Sequence, residues 1–582
     1  MPNSNSKQIV DFDLLLRVLV FAKPYKKQFI IASLAAITLS VLGPLRPYLI
    51  TNAVDNYIII PNPEGLFKII SLIFFMLIIE AIMQFVYIYL STWIGQHVIQ
   101  DLRSLIFKHI ISLKMRYFDN TPIGTLVTRS ISDIETIADI FSQGLLVIMA
   151  ESLRLLVVLF VMFYTDWKLA IISMLTIPAL LIATAWFKRN IKSAFEDIRD
   201  QVSKLNTFVQ EHIVGMNIVQ IFNREEAEFN KFHDINNNHL LAHLKSIFYY
   251  AVFFPIVEIL SATSIALIVW YGGVEILSGK HITIGELMGF ILLIHMMFRP
   301  IRQLADRFNI LQMGIVGSDR VFKVLDIIEL KEEKKGVLLQ DLSGDISFNN
   351  VSFYYKKDQW VLQELNFNIS KGKLLALVGS TGAGKTSIIN ILNRFYDIQA
   401  GSIKIDGVDI NKIRIDFLRN NISLVSQDVF LFSDSIINNI SLYDNSITKQ
   451  QIIASAKEIG IHKFISSLPG SYNYIVGERG VTLSSGQRQL LAFLRVYVRD
   501  VKILILDEAT SSIDTENELI IQNALKVLSK NRTTIVIAHR LSTIINADKI
   551  LYLKDGRVRE EGTHNQLIKE KGLYYNMYNS QL

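Results

Sequence analysis

Six apolar runs dominate the first 320 positions, at 29–50, 66–94, 144–167, 168–187, 246–273 and 282–305. Each is close to or above the roughly 20 residues that a helix needs to cross a hydrocarbon layer. The pattern therefore predicts six spanning helices. Beyond about residue 320 the periodicity changes to short β-branched strands, amphipathic helices and Gly-rich turns, the mixture of an ordinary soluble domain. A chain of 582 residues is too long for one core. The expected division is an N-terminal interfacial helix over 1–27, a six-helix membrane domain over 28–320, a linker over 321–345 and a soluble α/β domain over 346–582.

Polar residues between the runs set the expected orientation. The N-terminal segment and the connections 95–143 and 188–245 carry about eighteen Lys and Arg, against about two in the alternate connections. Basic loops stay on the cytoplasmic side, so both chain ends are expected there. Connections of about 50 residues should be helices that continue past the bilayer, because structureless loops of that length are rare. In the first 27 residues Phe12, Leu15, Leu16, Leu19 and Val20 fall at helical spacing, with Arg17, Lys23, Lys26 and Lys27 placed to meet lipid headgroups. That segment lacks the short apolar core of a removable signal peptide. The net charge of +6 accords with orientation and anionic-lipid contact, and no basic-aromatic patch points to nucleic acid. With no cysteine, disulfides, thiolate metal sites and thiol catalysis are excluded.

The chemistry is concentrated in the second half. Gly379-Ser380-Thr381-Gly382-Ala383-Gly384-Lys385-Thr386, followed by Ser387, comes directly after the apolar run Leu374 to Val378 and opens a helical pattern. Strand, glycine loop and helix in that order form a phosphate cradle, with the glycines letting backbone amides approach the phosphates. Lys385 should reach the β and γ phosphates, and Thr386 should offer its hydroxyl to Mg²⁺. Ile503 to Leu506 reads as a buried strand ending in Asp507, a Mg²⁺ partner, and Glu508, whose carboxylate suits a general base for the attacking water. Leu483-Ser484-Ser485-Gly486-Gln487 opens a helix whose first amides can take an anion.

Together these motifs resemble the ATP-binding cassette (ABC) exporters of the multidrug type, and the resemblance covers nearly the whole chain. It implies an α-helical membrane domain of six transmembrane helices with long cytoplasmic extensions, fused to an α/β P-loop ATPase domain of the ABC type. It further implies that Gln427 touches Mg²⁺ and water and that His539, after the strand Thr534 to Ala538, contacts the γ phosphate. Tyr355 would stack on adenine, with Tyr354 as its neighbouring competitor, and Asp514 matches the D-loop. Phe118 to Asp133 and Gly215 to Glu225 look like two coupling elements, the second docking on a partner subunit. In such a dimer Ser484, Gly486 and Gln487 meet the γ phosphate of ATP held by the opposite subunit.

Ser485 departs from the family pattern, which usually has Gly there. Together with Glu508 and His539 this resembles the Mdl-type heterodimeric pairs of bacterial exporters, and within them the MdlB-like member. The implied activity is ATP-driven export of hydrophobic or amphipathic compounds across the bacterial inner membrane, with drug-like molecules and lipids both open as cargo. The alternatives are a homodimeric flippase, or an ATP-gated channel or regulatory membrane subunit with little turnover. Within the spans, Arg46, Glu80, Glu151, Arg154 and Glu258 are as readily structural pairs as cargo contacts.

Overall fold

The computed structural model describes residues 12–279, 282–328, 336–339, 342–507, 515–538 and 544–581. The chain divides into two units, residues 1–111 with 122–328, and residues 112–121 with 329–582.

The first unit is all helical. Helix α1 is Phe12–Val20, α2 Lys26–Ala53, α3 Pro63–Ile110, α5 Ile123–Ser130, α6 Ser132–Asp139, α7 Leu146–Thr165, α8 Trp167–Met174, α9 Ile177–Val214, α10 Met216–Ile221, α11 Glu225–Leu277 and α12 Ile284–Leu325; α4, Met115–Asn120, belongs to the second unit. Five helical stretches among the described residues are long and apolar enough to cross a membrane, and α12 carries the sixth expected span. In the most apolar window of α3 only 6% of residues are buried within the protein. Phe67, Phe74 and Phe85 there stand open, which water would penalise and lipid tails would not. The third and fourth spans are separated at Asp166, whose carboxylate caps α8 by accepting from the amides of Lys168 and Leu169. Past the spans, α9 and α11 continue as helices and pack along each other, and α2, α3, α7 and α12 form a second bundle.

One expectation changes here. Helix α12 continues to Leu325, into the expected linker, because Val321, Phe322 and Val324 are buried against α1 and α3 in one cluster. Arg17 has a partner within the protein. Its guanidinium forms a two-pronged bond to Asp326 (2.8 and 2.5 Å) and lies 4.1 Å over the Phe322 ring, while Leu15 and Val18 are buried in that cluster. Phe253, Phe290 and Met297 are core, whereas Phe254 and Met288 are exposed.

The second unit holds two sheets. β1 (Ile346–Tyr354), β2 (Trp360–Ile369), β4 (Ala400–Ile405) and β5 (Val408–Asp409) form an antiparallel sheet in the order β2-β1-β4-β5. β3 (Leu374–Gly379), β6 (Ile422–Val425), β7 (Ile503–Asp507), β8 (Thr533–Ile537), β9 (Lys549–Lys554) and β10 (Arg557–Gly562) form the second, ordered β10-β9-β3-β8-β7-β6. All neighbours in it are parallel except the edge pair β9–β10. Strand β8 is buried along its whole length, as a central parallel strand covered on both faces must be. One core lies between the sheets around helix α13 (Lys385–Leu392), and another lies on the opposite face under the helix Ser485–Val498.

Candidate nucleotide site

Register brings the motifs together. Leu377 of β3 pairs with Ile537 of β8, which pairs with Asp507 of β7, and Leu506 pairs with Val425 of β6. Four parallel strands thus end along one edge, where the glycine loop follows β3, Asp507 closes β7 and Gln427 lies two residues past β6. Ligands in such sheets bind beyond the carboxyl ends of the strands. Glu508, Asp514 and His539 lie outside the described residues, although the strands that precede Glu508 and His539 end at this edge.

The loop is shaped by its glycines. Gly379, Gly382 and Gly384 have φ of +147°, +83° and +98°, where a side chain is strained. A Cβ on Gly379 would lie 2.2 Å from the Leu553 carbonyl, and one on Gly384 would lie 2.5 Å from Leu362 Cδ2. A Cβ on Gly382 would meet nothing within 4 Å. Two glycines therefore let the loop fold, and the third leaves its open side bare for a ligand. Ala383 is buried, its amide donating to the Ser380 carbonyl (3.1 Å), while Ser380 and Thr381 are exposed. Lys385 is 8% exposed, and its Nζ donates to the carbonyls of Gly379 (2.8 Å) and Ser380 (3.0 Å). An ammonium held inside the curl of the loop, with the first amides of α13 beside it, suits phosphate oxygens. Thr386 is exposed at the second position of α13, Asp507 is half-buried and Gln427 is exposed. A hydroxyl and a carboxylate suit Mg²⁺, which binds through one or two protein ligands, substrate phosphates and waters.

Of the two tyrosines, Tyr355 is the one at α13. Its hydroxyl donates to Ser387 Oγ (3.1 Å) and accepts from Asn390 Nδ2 (3.1 Å), and its ring stands edge-on to Phe353 and Tyr396. Tyr354 packs on Trp360 instead. Sequence reasoning passed over Asn390 and Tyr396. Tyr396 also donates its hydroxyl to Asp119, and Lys114 Nζ pairs with Asp397 (2.9 Å), so residues 112–121 are seated on this unit with Leu113 fully buried. A cavity of about 300 Å³ lies between Arg116, Asp119 and Asn120 on one side and Tyr355, Lys356 and Tyr396 on the other. Arg394, its guanidinium pKa lowered chiefly by burial, lines a separate cavity with Leu113 and Phe118 and donates to the carbonyls of Ile410 and Ile413. Only the start of the expected first coupling stretch belongs here, because Asp133 is buried in the membrane unit and accepts from Arg320 (3.3 Å).

Two family models match, that of the ABC transporter transmembrane region over residues 29–301 and that of the ABC transporter over residues 362–511. An ATP-dependent lipid A-core flippase of Syntrophus aciditrophicus is 35% identical over 98% of this chain and 94% of its own. The chain belongs to the ABC transporter family. A putative multidrug export ATP-binding/permease protein of Bacillus subtilis is 33% identical over 98% of this ABC transporter and 99% of its own length, and one of Staphylococcus aureus is 34% identical over 98% and 100%. These are half-transporters, with one membrane region fused to one ATPase domain, and the present chain has the same organisation. It is a multi-pass membrane protein whose second unit is an ATPase.

The third motif of this ABC transporter sits at a helix start. Ser484 caps Ser485–Val498, its Oγ accepting from the Gln487 amide (3.2 Å) while its own amide donates to Gln487 Oε1 (3.0 Å). Gly486 is buried in the first turn, and Arg488 donates to the Leu483 carbonyl (2.8 Å). Ser485 is exposed at the first helical position and is not among the residues with positive φ. The backbone there does not demand glycine.

Proposed function

We propose that this chain is one half of a dimeric ABC exporter that uses ATP hydrolysis to move hydrophobic or amphipathic compounds out of the cytoplasm across a bacterial inner membrane. The single observation that carries the reading is the shared edge of β3, β8, β7 and β6, where the glycine loop, Asp507 and Gln427 stand together. There Lys385 and the loop amides bind and orient the phosphates, Tyr355 holds the base, and Glu508 takes the proton of the attacking water. His539 donates to the γ phosphate, and Asp514 lies at the junction with the partner. Mg²⁺, held by Thr386, Asp507 and Gln427, would neutralise phosphate charge. The start of the helix Ser485–Val498, with Ser484, Gly486 and Gln487, serves the partner's nucleotide. The basic connections support cytoplasmic termini.

The partner docks on the second coupling element. Val214, Ile218, Ile221 and Phe222 at and beside α10 are 59–80% exposed, an apolar patch at the tip of a helix pair that leaves the expected bilayer zone. A heterodimer remains the preferred assembly, since the Ser485 hydroxymethyl adds bulk where an amide must approach phosphate. The ordinary helical backbone of Ser485 supports the homodimer as a second reading.

ATP hydrolysis by the purified chain, alone and with a companion half carrying an unbroken Ser-Gly-Gly-Gln motif, tests both points. Glu508→Gln should lower turnover by about 10²–10⁴-fold. Equal rates in wild type and variant would leave the channel or regulatory reading. Full activity of the chain alone would select the homodimer.

A further inference from the structure

Inside the membrane unit, α2, α3, α7 and α12 surround a cavity of about 300 Å³ whose wall carries Arg46, Glu80, Tyr87, Glu151, Arg154 and Arg299. Charged side chains within spanning helices are costly and mark the path of a polar group. Here the charges are only loosely satisfied by one another. Arg46 and Glu80 approach to 3.9 Å and Arg154 and Glu151 to 3.6 Å, both beyond the roughly 2.7–2.9 Å of a charge-assisted hydrogen bond. Glu151 Oε2 and the Tyr87 hydroxyl are buried with no hydrogen-bond partner among the described residues. An orphaned buried acceptor of that kind calls for a donor from elsewhere.

Backbone chemistry adds to the acceptors. Pro44 and Pro300 lie inside α2 and α12 and have no N–H to give to the carbonyls of Ser40 and Met296, and both of those residues line the cavity. Gly43 leaves room for two of the lining side chains: a Cβ there would lie 3.3 Å from Met296 Cε and 3.4 Å from Arg154 Nη2. The lining therefore combines three guanidinium groups with two carboxylates, one of them half-unpaired. A purely cationic guest would meet the excess of guanidinium. A purely anionic guest would pair with Arg299 and leave Glu151 unsatisfied.

We propose that this cavity binds the headgroup of a zwitterionic amphipath that carries both an anionic phosphate and an N–H-donating ammonium, as ethanolamine phospholipids do. This rests on the export reading above, and names the polar end of the cargo. Phosphate lies against Arg299 and the Arg46 and Arg154 guanidinium groups, and the ammonium donates to Glu151 Oε2.

Equilibrium binding to the purified full-length protein in a neutral detergent, without nucleotide, tests the assignment. Three lysolipids of one acyl chain are compared: ethanolamine, choline, which keeps the phosphate but has no N–H, and glycerol, which has no ammonium. The ethanolamine form should bind about tenfold more tightly than the choline form, since it alone supplies a charged donor to a buried acceptor. Glu151→Gln should bring the two within twofold of each other. Arg299→Gln, at an exposed side chain, should weaken the ethanolamine and glycerol forms together, with thermal melting of both variants verifying the fold. Equal affinity for all three lysolipids, or a preference untouched by both substitutions, overturns the proposal. Because binding is read without ATP, failure here leaves the hydrolysis test standing, and failure of that test leaves this one standing.

Discussion

Replacing Gly379 by alanine should unseat the ATPase domain, whereas replacing Gly382, three residues on, should spare the fold and damage nucleotide binding. At Gly379 the added methyl would lie 2.2 Å from the Leu553 carbonyl, and Leu553 is the β9 residue that pairs with Gly379 in the parallel ladder. No flexible side chain can yield there, so relief requires β3 and β9 to separate. Backbone strain at φ +147° adds roughly 1–3 kcal/mol, and overpacking against a fixed backbone adds a similar amount. A total of roughly 4 kcal/mol corresponds to a fall of about 10 °C or more in the melting of a domain of this size. At Gly382 the methyl meets nothing within 4 Å, and only the left-handed backbone is charged for it, about 1–2 kcal/mol. Its cost should appear where a phosphate must approach, as a loss of roughly tenfold or more in affinity for a fluorescent ATP analogue, equivalent to about 1.4 kcal/mol. Thermal melting of the full-length variants without nucleotide, followed by titration with the analogue, separates the two effects. Equal melting losses, or a Gly379→Ala protein that melts within a degree of wild type, would refute the division of labour.

Tyr355→Ala should raise the KM for ATP by roughly tenfold, the worth of one aromatic stack, with Tyr354→Ala within twofold of wild type; the reverse order in steady-state hydrolysis would reassign the base contact. His212 Nε2 lies 2.8 Å from Glu228 Oε2 across the α9–α11 tip, and its pKa is raised chiefly by that bond, while that of Glu228 is lowered chiefly by Lys231 and then by His212. A raised histidine stabilises the folded tip below its ordinary value near 6.5 and loses that contribution as pH rises through the raised value; a lowered glutamate contributes above its ordinary value near 4.5 and loses it as pH falls. Hydrogen exchange of α10 should therefore be slowest between those limits and accelerate above neutrality, and His212→Gln should flatten the profile. Ser484→Ala removes the cap of the helix Ser485–Val498 and should cost about 1 kcal/mol of domain stability, read from denaturant midpoints, while Ser485→Gly should change stability by less than that because position 485 is already helical.

The parts of this protein that were legible in its sequence are those whose cause is local. A left-handed backbone between a buried strand and a helix needs glycine, so Gly379, Gly382 and Gly384 announced the loop. Strand register carries the rest of the site, because Asp507 ends β7 and Gln427 follows β6, two strands that run parallel to β3 in the same sheet beyond β8. What stayed hidden depends on contacts between distant positions. The bond from Arg17 to Asp326, far along the chain, is one such contact. The pairing of Glu151 with Arg154 could be suspected from their spacing, but that of Arg46 with Glu80 joins two helices, and the orphaned Oε2 of Glu151 is a property of packing alone. Ser485 shows the opposite limit: its residue type suggested an irregular phosphate contact, and its backbone proved ordinary. A substitution at a glycine position carries weight only where φ is positive or space is closed, and at 485 the backbone condition does not hold. Any functional difference at that helix start must then come from the hydroxymethyl group itself, in front of the partner's phosphate.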